Sequence, residues 1–220
     1  MAQANDSILV TPGSGATVAT ELIAGKEHQV VVQADSSGHV MGSLPTYLYT
    51  TPAAAAGASK LYFDLFNAAG SGMVIDVRGI WIVPATDVAV VGALGIRFDL
   101  YRTSAVGTGG TAAAYKSATP SVAGGNISPS DTNNVALPAQ ITARHLPTAG
   151  ATIAEWMIAT YSPGEETATS MAFITQYQNI LPYLAWAQKL ALREGQGILM
   201  KQGTVAGTGN FGFLVAFTVE

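Results

Sequence analysis

The strongest pattern in the sequence is a strict alternation of side chains from Asn210 to Val219. Smaller or polar residues mostly separate five large apolar residues, which are Phe211, Phe213, Val215, Phe217 and Val219. A period of two is typical of a β-strand with one face against a core. We therefore expect a β-protein in which this strand is paired or packed against the rest of the fold.

The same kind of pattern recurs along the chain. Alternating or β-branched segments occur at 27–33, 60–66, 73–83, 89–101, 141–145, 153–161 and 198–202. Clusters of Gly, Ser, Asn and Pro separate them, which is typical of turns. The three strands between Lys60 and Tyr101 are predicted to form a meander or one half of a sandwich. Gly79, in the middle of one of them, indicates a bulge or a close backbone approach. The predicted fold class is all-β, a β-sandwich or jelly-roll-like fold of about eight to ten short strands.

The distribution of turn-forming residues predicts the domain organisation. Residues 1–26 are expected to be an extended N-terminal arm, and residues 27–220 a single β-sandwich domain. Two stretches rich in Gly, Ser, Thr and Ala, at 43–59 and 103–138, are predicted to be long loops. A short strand is expected within the second, near residues 113–116. Loops of this length in a compact domain are usually functional or disordered.

Charge limits the classes of partner. Hydrophobic residues make up 49% of the chain and charged residues only 11%, against roughly 25% charged in ordinary soluble domains. Such a composition favours a subunit whose surface is partly covered by partners. The net charge is −4, and the ten Lys and Arg residues are scattered singly. Because nucleic-acid binding needs a clustered cationic face, no nucleic-acid partner is expected.

The absence of cysteine and of long apolar runs excludes further kinds of site and segment. The chain has no cysteine, so disulfides, thiolate metal sites and a cysteine nucleophile are excluded. No run approaches 18 consecutive apolar residues, so no membrane span is expected. The first residues carry neither a basic nor an apolar region of the kind found in secretion signals, and we expect no secretion signal.

Candidate catalytic residues are sparse. His28, His39 and His145 show no metal-ligand spacing. Glu165 and Glu166 are adjacent, and adjacent residues of a strand point to opposite faces, so they do not form the facing carboxylate pair of a glycosidase. We predict a protein that is not an enzyme and has no catalytic, metal or cofactor site.

Aromatic residues supply the candidate contact sites. Trp81 and Trp156 lie inside strand patterns and are expected in the core. Two tyrosines lie in the loop flanked by Pro45 and Pro52, where we expect them to be exposed. The predicted partner-contact residues are these tyrosines and two polar residues of the arm, namely Tyr47, Tyr49, Asn5 and Asp6.

Three segments carry a resemblance to a known class. Val10–Glu21, Arg97–Thr111 and the turn Leu192–Gly197 ahead of the final strand resemble structural proteins of tailed-bacteriophage virions. These are small proteins rich in Gly, Thr and Ala. The resemblance implies a β-rich subunit that works in many copies on a particle, and it carries no catalytic residues.

Within that class, the resemblance is strongest to capsid decoration (cement) proteins. It implies a homotrimer, made in the host cytoplasm, that lies on the capsid exterior and bridges neighbouring subunits of the major capsid protein. Uncharged arms and loops would lie over a neighbour and become ordered there.

Other functions stay open. One is a tail- or fibre-associated receptor- or glycan-binding module, which predicts aromatic residues on an exposed concavity. Another is an enzyme such as a depolymerase, which predicts that activity depends on Glu165 or Asp99. A role in joining head and tail is a further possibility within the virion.

Overall fold

The structure is a computed structural model that describes residues 19–23, 26–30, 44–84, 96–116, 125–130, 135–161, 178–181 and 190–220. The chain divides into two compact units, Met1–Ser43 and Leu44–Glu220. We expected the division at residues 26 and 27. The contacts place it after Ser43 instead, so the N-terminal unit is longer than the predicted arm.

In its described residues, the N-terminal unit is a two-stranded antiparallel hairpin. Strand β1 is Ala19–Ile23 and strand β2 is Lys26–Val30. Their register runs from the pair Ala19 and Val30 to the pair Ile23 and Lys26. This hairpin spans residue 26, where an extended arm was predicted to end.

The second unit contains fourteen strands in its described residues, and these vary from two to thirteen residues in length. They are β3 (Thr46–Thr50), β4 (Ala54–Ala55), β5 (Leu61–Asn67), β6 (Ile75–Pro84), β7 (Ile96–Thr108), β8 (Thr111–Ala112), β9 (Ala114–Tyr115), β10 (Asn126–Pro129), β11 (Ile141–His145), β12 (Ala149–Tyr161), β13 (Gln178–Asn179), β14 (Leu190–Leu192), β15 (Gln196–Gln202) and β16 (Asn210–Val219).

These strands form two sheets. The eight-stranded sheet has the order β13-β6-β16-β3-β10-β9, with β14 also pairing β6 and β4 pairing β16. The six-stranded sheet has the order β12-β7-β15-β5-β11-β8. All pairings are antiparallel except that of β9 with β10. Strand β16 lies between β3 and β6, which confirms the prediction that this alternating segment is paired within the fold.

The two sheets pack face to face and enclose an apolar core. Phe213 of β16 lies at its centre, with ring centroids 5.2 Å from Tyr62, 5.5 Å from Phe63 and 5.3 Å from Phe98. Aromatic pairs at these separations and steep angles add stability beyond the area they bury. The predicted all-β sandwich is confirmed.

The chain crosses the outer face of the six-stranded sheet between β7 and β8. These strands are separated by only Gly109 and Gly110, yet β15, β5 and β11 lie between them in the sheet. Both glycines have positive φ, 66° and 60°, which glycine adopts without strain. The sheet therefore closes partly on itself, and the outward side chains of β5 lie beneath the crossover.

The segment that follows the crossover joins the two sheets. Ala113 separates β8, at the edge of the six-stranded sheet, from β9, at the edge of the eight-stranded sheet. The Ala113 N–H donates to the Ala143 carbonyl at 2.8 Å, and the Lys116 N–H donates to the Ile127 carbonyl at 2.8 Å. Passage from one sheet to the other closes this side of the sandwich.

Both predicted loops contain strands. Within 43–59 lie β3 and β4, because Pro45 and Pro52 flank β3 rather than interrupt it, and its sequence Thr-Tyr-Leu-Tyr-Thr has high strand propensity. Within 103–138 lie the end of β7 and strands β8, β9 and β10. The short strand expected near 113–116 is confirmed as β9.

The three strands between Lys60 and Tyr101 do not form a meander. Strands β5 and β7 belong to the six-stranded sheet, whereas β6, between them in sequence, belongs to the eight-stranded sheet. The bulge predicted at Gly79 is confirmed. The register with β16 shifts between the pairs Ala216–Gly79 and Phe217–Val77, so that Arg78 is the extra residue.

Candidate functional site

A shallow groove runs along the edge of the sandwich where the chain passes between the sheets. Its volume is about 250 Å³. Strand β8 pairs with β11 only at Arg144 and His145, so the preceding part of β11 borders the groove. The lining residues are Ala112, Ala113, Tyr115, Leu137, Pro138, Ala139, Ile141, Thr142, Ala143 and Arg144.

The groove is mostly apolar, and three of its lining side chains, those of Tyr115, Thr142 and Arg144, carry polar groups. Tyr115 packs edge-on against Tyr47, with ring centroids 6.4 Å apart. Arg144 Nη1 donates to the Gly109 carbonyl at 3.2 Å, in an exposed position. A small apolar group with a hydrogen-bond acceptor or negative charge matches this lining. The groove contains one aromatic ring, not a platform of several.

The predicted contact tyrosines lie in the core. Tyr47 and Tyr49 are both 0% exposed, so their expected exposure is wrong. The Tyr47 ring stacks on Phe217 with centroids 5.6 Å apart, and its hydroxyl donates to the Val135 carbonyl at 2.9 Å. Tyr49 packs edge-on against Phe63. Both belong to β3, whose alternate residues face the opposite sheet.

The other predicted contact residues, Asn5 and Asp6, lie outside the described residues, as do Glu165 and Glu166. The side chain of Trp156 is likewise outside the described part. Trp81, which was expected in the core, is only partly buried. It faces outward from β6, and its ring covers Gly79 so closely that a side chain there would collide with it.

Asp64 is a buried carboxyl group in the centre of the six-stranded sheet. It is 1% exposed, and Oδ2 accepts a hydrogen bond from the Gly107 N–H of the crossover. Oδ1 has no hydrogen-bond partner among the described residues. Burial raises the pKa of Asp64, and this effect exceeds the lowering by the backbone hydrogen bonds of Gly107 and Arg144 and by the charge of Arg144.

A second carboxyl group, Asp99, was the candidate for an enzymatic role. It is 4% exposed and lies on β7. Arg97, two residues earlier on the same face of the strand, pairs with it through Nε. On the neighbouring strand the Lys201 ammonium lies 5.9 Å from the centre of the Tyr101 ring. This part of the sheet is a charged surface with paired groups, and no second carboxylate is placed opposite Asp99 among the described residues.

His145 lies at the end of β11. Its Nδ1 atom is buried without a hydrogen-bond partner among the described residues, and the ring lies against Gly125. Burial lowers the pKa of His145. In the described part of the chain, no three His, Cys, Asp or Glu side chains lie close enough to hold a metal ion.

One end of the sandwich is tied by a carboxylate. Glu194, in the turn between β14 and β15, accepts hydrogen bonds from the Gly72 N–H at 2.6 Å and the Gly70 N–H at 3.1 Å. Beneath it, the Asn67 amide donates to the carbonyls of Met73 and Leu192. These contacts hold two adjacent turns together at the surface.

Sequence reasoning missed both the groove and the buried Asp64. The signal for Asp64 was present, because it is the only charged residue in the otherwise apolar alternation of β5. The groove had no comparable signal, since its walls come from strands and turns that only the sheet order brings together.

The described residues therefore define an all-β sandwich with an edge groove and a buried carboxyl group. Comparison with protein-family models, with curated proteins and with solved structures finds no match to this chain. No helix within the described ranges has the length and apolar character needed to span a membrane.

Proposed function

We propose that this chain is a structural protein of a tailed-bacteriophage virion, which decorates the capsid exterior and bridges neighbouring subunits of the major capsid protein. The observation that carries the proposal is the division of the chain into a β-sandwich and a separate N-terminal unit. The described part of that unit is one two-stranded hairpin. A two-stranded hairpin gains stability when it packs on a further surface, and we propose that a capsid neighbour supplies such a surface.

The roles of the described carboxylates support a structural function. Asp64 holds the crossover, Asp76 pairs with Arg78, Asp99 pairs with Arg97, and Glu194 ties two turns. Each of these acidic groups is engaged in a contact that stabilises the sandwich. A typical glycoside hydrolase instead needs two carboxylates that face each other across a substrate.

Composition supports a body that works in contact with other subunits. Only 11% of the residues are charged, and interfaces are depleted in charged residues at their centres. We propose a homotrimer, since a cyclic assembly buries such surfaces and repeats each weak contact by symmetry. Sedimentation that shows a stable monomer at micromolar concentration would contradict the trimer.

A tail- or fibre-associated module that binds a receptor or glycan is the second candidate. The edge groove favours it, because Tyr115 offers one aromatic ring and Arg144 one charged donor beside an apolar wall. Binding of glycans by the isolated protein, lost on Tyr115→Ala and retained in a matched surface variant such as Gln140→Ala, would support this second function.

The test of the first proposal is cryo-electron microscopy of the purified virion. Density for the sandwich on the capsid exterior, in contact with two or more capsid subunits, is the expected result. Density confined to the tail or to fibres would refute decoration and favour the second candidate. Absence of the chain from purified particles would refute both.

A further inference from the structure

Asp64 lies where the crossover between β7 and β8 passes over β5. The Gly107 N–H of the crossover donates to Asp64 Oδ2. A Cβ atom at position 107 would lie 2.5 Å from that oxygen, so the backbone approaches the carboxyl group as closely as a residue without a side chain allows. This contact joins two strands that are not neighbours in the sheet.

Other contacts hold the residues that follow Gly107. Arg144 Nη1 donates to the Gly109 carbonyl, and the Thr148 N–H donates to the Thr108 carbonyl at 2.8 Å. Gly110 lies against the carbonyls of His145 and Leu146. Gly107 precedes these points, so its hydrogen bond to Asp64 fixes the end of β7, where the crossover begins, to the sheet beneath it.

We propose that the Asp64 carboxyl group is a proton-controlled latch, which holds the crossover to the sheet more tightly at acid pH than at neutral pH. While the crossover is closed, Asp64 is 1% exposed and Oδ1 has no described hydrogen-bond partner. An ionised carboxylate is poorly solvated in such a place, whereas the neutral acid is penalised much less. Opening of the crossover returns the carboxyl group to water, where ionisation is favourable.

The direction of the effect follows from the two pKa values. Burial raises the pKa of Asp64 above its ordinary value of 3.8 in the closed form, and the pKa returns towards 3.8 when the crossover opens. The closed form therefore binds the proton more tightly. By linkage, opening becomes easier as pH rises from 3.8 towards the raised pKa and no longer changes above it.

Among the described residues, Arg144 and Tyr49 interact electrostatically with Asp64. Arg144 of β11 lowers the pKa of Asp64 by its charge and by a backbone hydrogen bond, and Asp64 in turn raises the pKa of Tyr49 of β3. Burial raises the pKa of Tyr49 well above 10.0, so that it stays neutral in this range. On β15 the residue paired with Asp64 is Leu199, and on β12 the Ala149 carbonyl oxygen lies beside Gly107; neither group titrates. His145 follows Arg144 and titrates below its usual 6.5, so it needs a control.

Amide hydrogen exchange at Gly107, measured by NMR between pH 4 and 8 and corrected for intrinsic exchange, tests the latch. In the unchanged protein, the opening constant is expected to increase by up to about tenfold per pH unit above 3.8 and then to level off. The Phe213 amide, which donates to Thr51 Oγ1 in the core at 2.8 Å, reports global unfolding. The opening constant at Phe213 should change less with pH than the opening constant at Gly107.

The decisive variant is Asp64→Asn, in which the side-chain oxygen still accepts the Gly107 hydrogen bond but no proton is bound or released. Its opening constant at Gly107 should not depend on pH. Asp99→Asn removes another buried carboxyl group, on β7 and paired with Arg97, and His145→Gln removes the neighbouring imidazole. Both should retain the response.

Three results would overturn the proposal. They are an opening constant that does not vary with pH in the unchanged protein, a response that persists in Asp64→Asn, and parallel changes at Gly107 and Phe213. If Asp64→Asn does not fold, the first and third results still decide. Gly107→Ala gives independent evidence, because its Cβ would crowd the carboxyl group and should speed exchange at position 107 at every pH.

Discussion

The hydroxyl of Tyr62 donates a hydrogen bond of 2.9 Å to the side-chain oxygen of Gln202, which lies 140 positions further along the chain. The same oxygen accepts the Gly57 N–H at 2.9 Å, and Gln202 Nε2 donates to the Val205 carbonyl at 3.0 Å. Gln202 is 0% exposed. One buried amide therefore joins the core to the turns on either side of it.

Replacement of Gln202 by Leu should destabilise the fold. Leucine is similar in size to glutamine but cannot make the three hydrogen bonds of the Gln202 amide. The Tyr62 hydroxyl is therefore left buried without its Gln202 partner. We expect a loss of about 1–3 kcal/mol in the free energy of unfolding, measured by urea denaturation. Gln140→Leu, at an exposed position, is the matched control and should change stability by less than about 0.5 kcal/mol.

Replacement of Phe213 by Ala should be among the most damaging changes in the core. Its ring contacts those of Tyr62, Phe63 and Phe98, and the cavity left behind is surrounded by both sheets. A loss of about 3–5 kcal/mol is expected from denaturant unfolding. Val205→Ala, at a residue 71% exposed, should be close to neutral, and an equal loss in both variants would contradict the packing described.

Alkaline pH should weaken the fold above pH 10. Burial raises the pKa of Tyr47 and of Tyr62 from 10.0 to about 12, so the unfolded chain releases these protons more readily. The stability they provide is complete below pH 10 and is lost as pH rises towards 12. The free energy of unfolding should fall between pH 8 and 12. In the Tyr47→Phe variant it should fall less steeply.

Tyr47→Phe also has an effect at neutral pH. It removes the 2.9 Å hydrogen bond to the Val135 carbonyl and should cost about 1 kcal/mol. An alkaline decline identical to that of the unchanged protein would show that Tyr47 does not contribute to it.

Mild acid should weaken the contribution of His145. Burial lowers its pKa below 6.5, so the unfolded chain binds a proton more readily than the folded one. The stability contributed by neutral His145 is present above pH 6.5 and declines as pH falls through that value towards the lowered pKa. The difference in unfolding free energy between the unchanged protein and His145→Gln should therefore change between pH 7.5 and 5. A constant difference would exclude this role.

Two interpretations made from the sequence show where local pattern misleads. Tyr47 and Tyr49 were placed on the surface because prolines flank them, yet β3 lies between β16 and β10 and directs both rings into the core. Trp81 was placed in the core because it lies in a strand, yet it is on the outward face of β6. Proline marks the ends of β3, and alternation does not say which face of a strand is inside.

The sequence by itself determined the fold class of this protein. Alternation over β16 and β5, the glycine bulge next to Arg78 and the turn residues between strands are local properties, because strand geometry has a period of two and turns need particular residues. They were sufficient for an all-β sandwich. The same pattern predicted that β16 is paired within a sheet, as it is in the eight-stranded sheet.

Only the tertiary structure decided how the strands are distributed between the sheets and what lies above them. Strands β5, β6 and β7 follow one another in sequence but alternate between sheets, and the crossover buries Asp64, which alternation alone would leave at the surface. The edge groove depends on the same long-range order. Such arrangements are set by packing between residues far apart in the chain, and no local pattern encodes that packing.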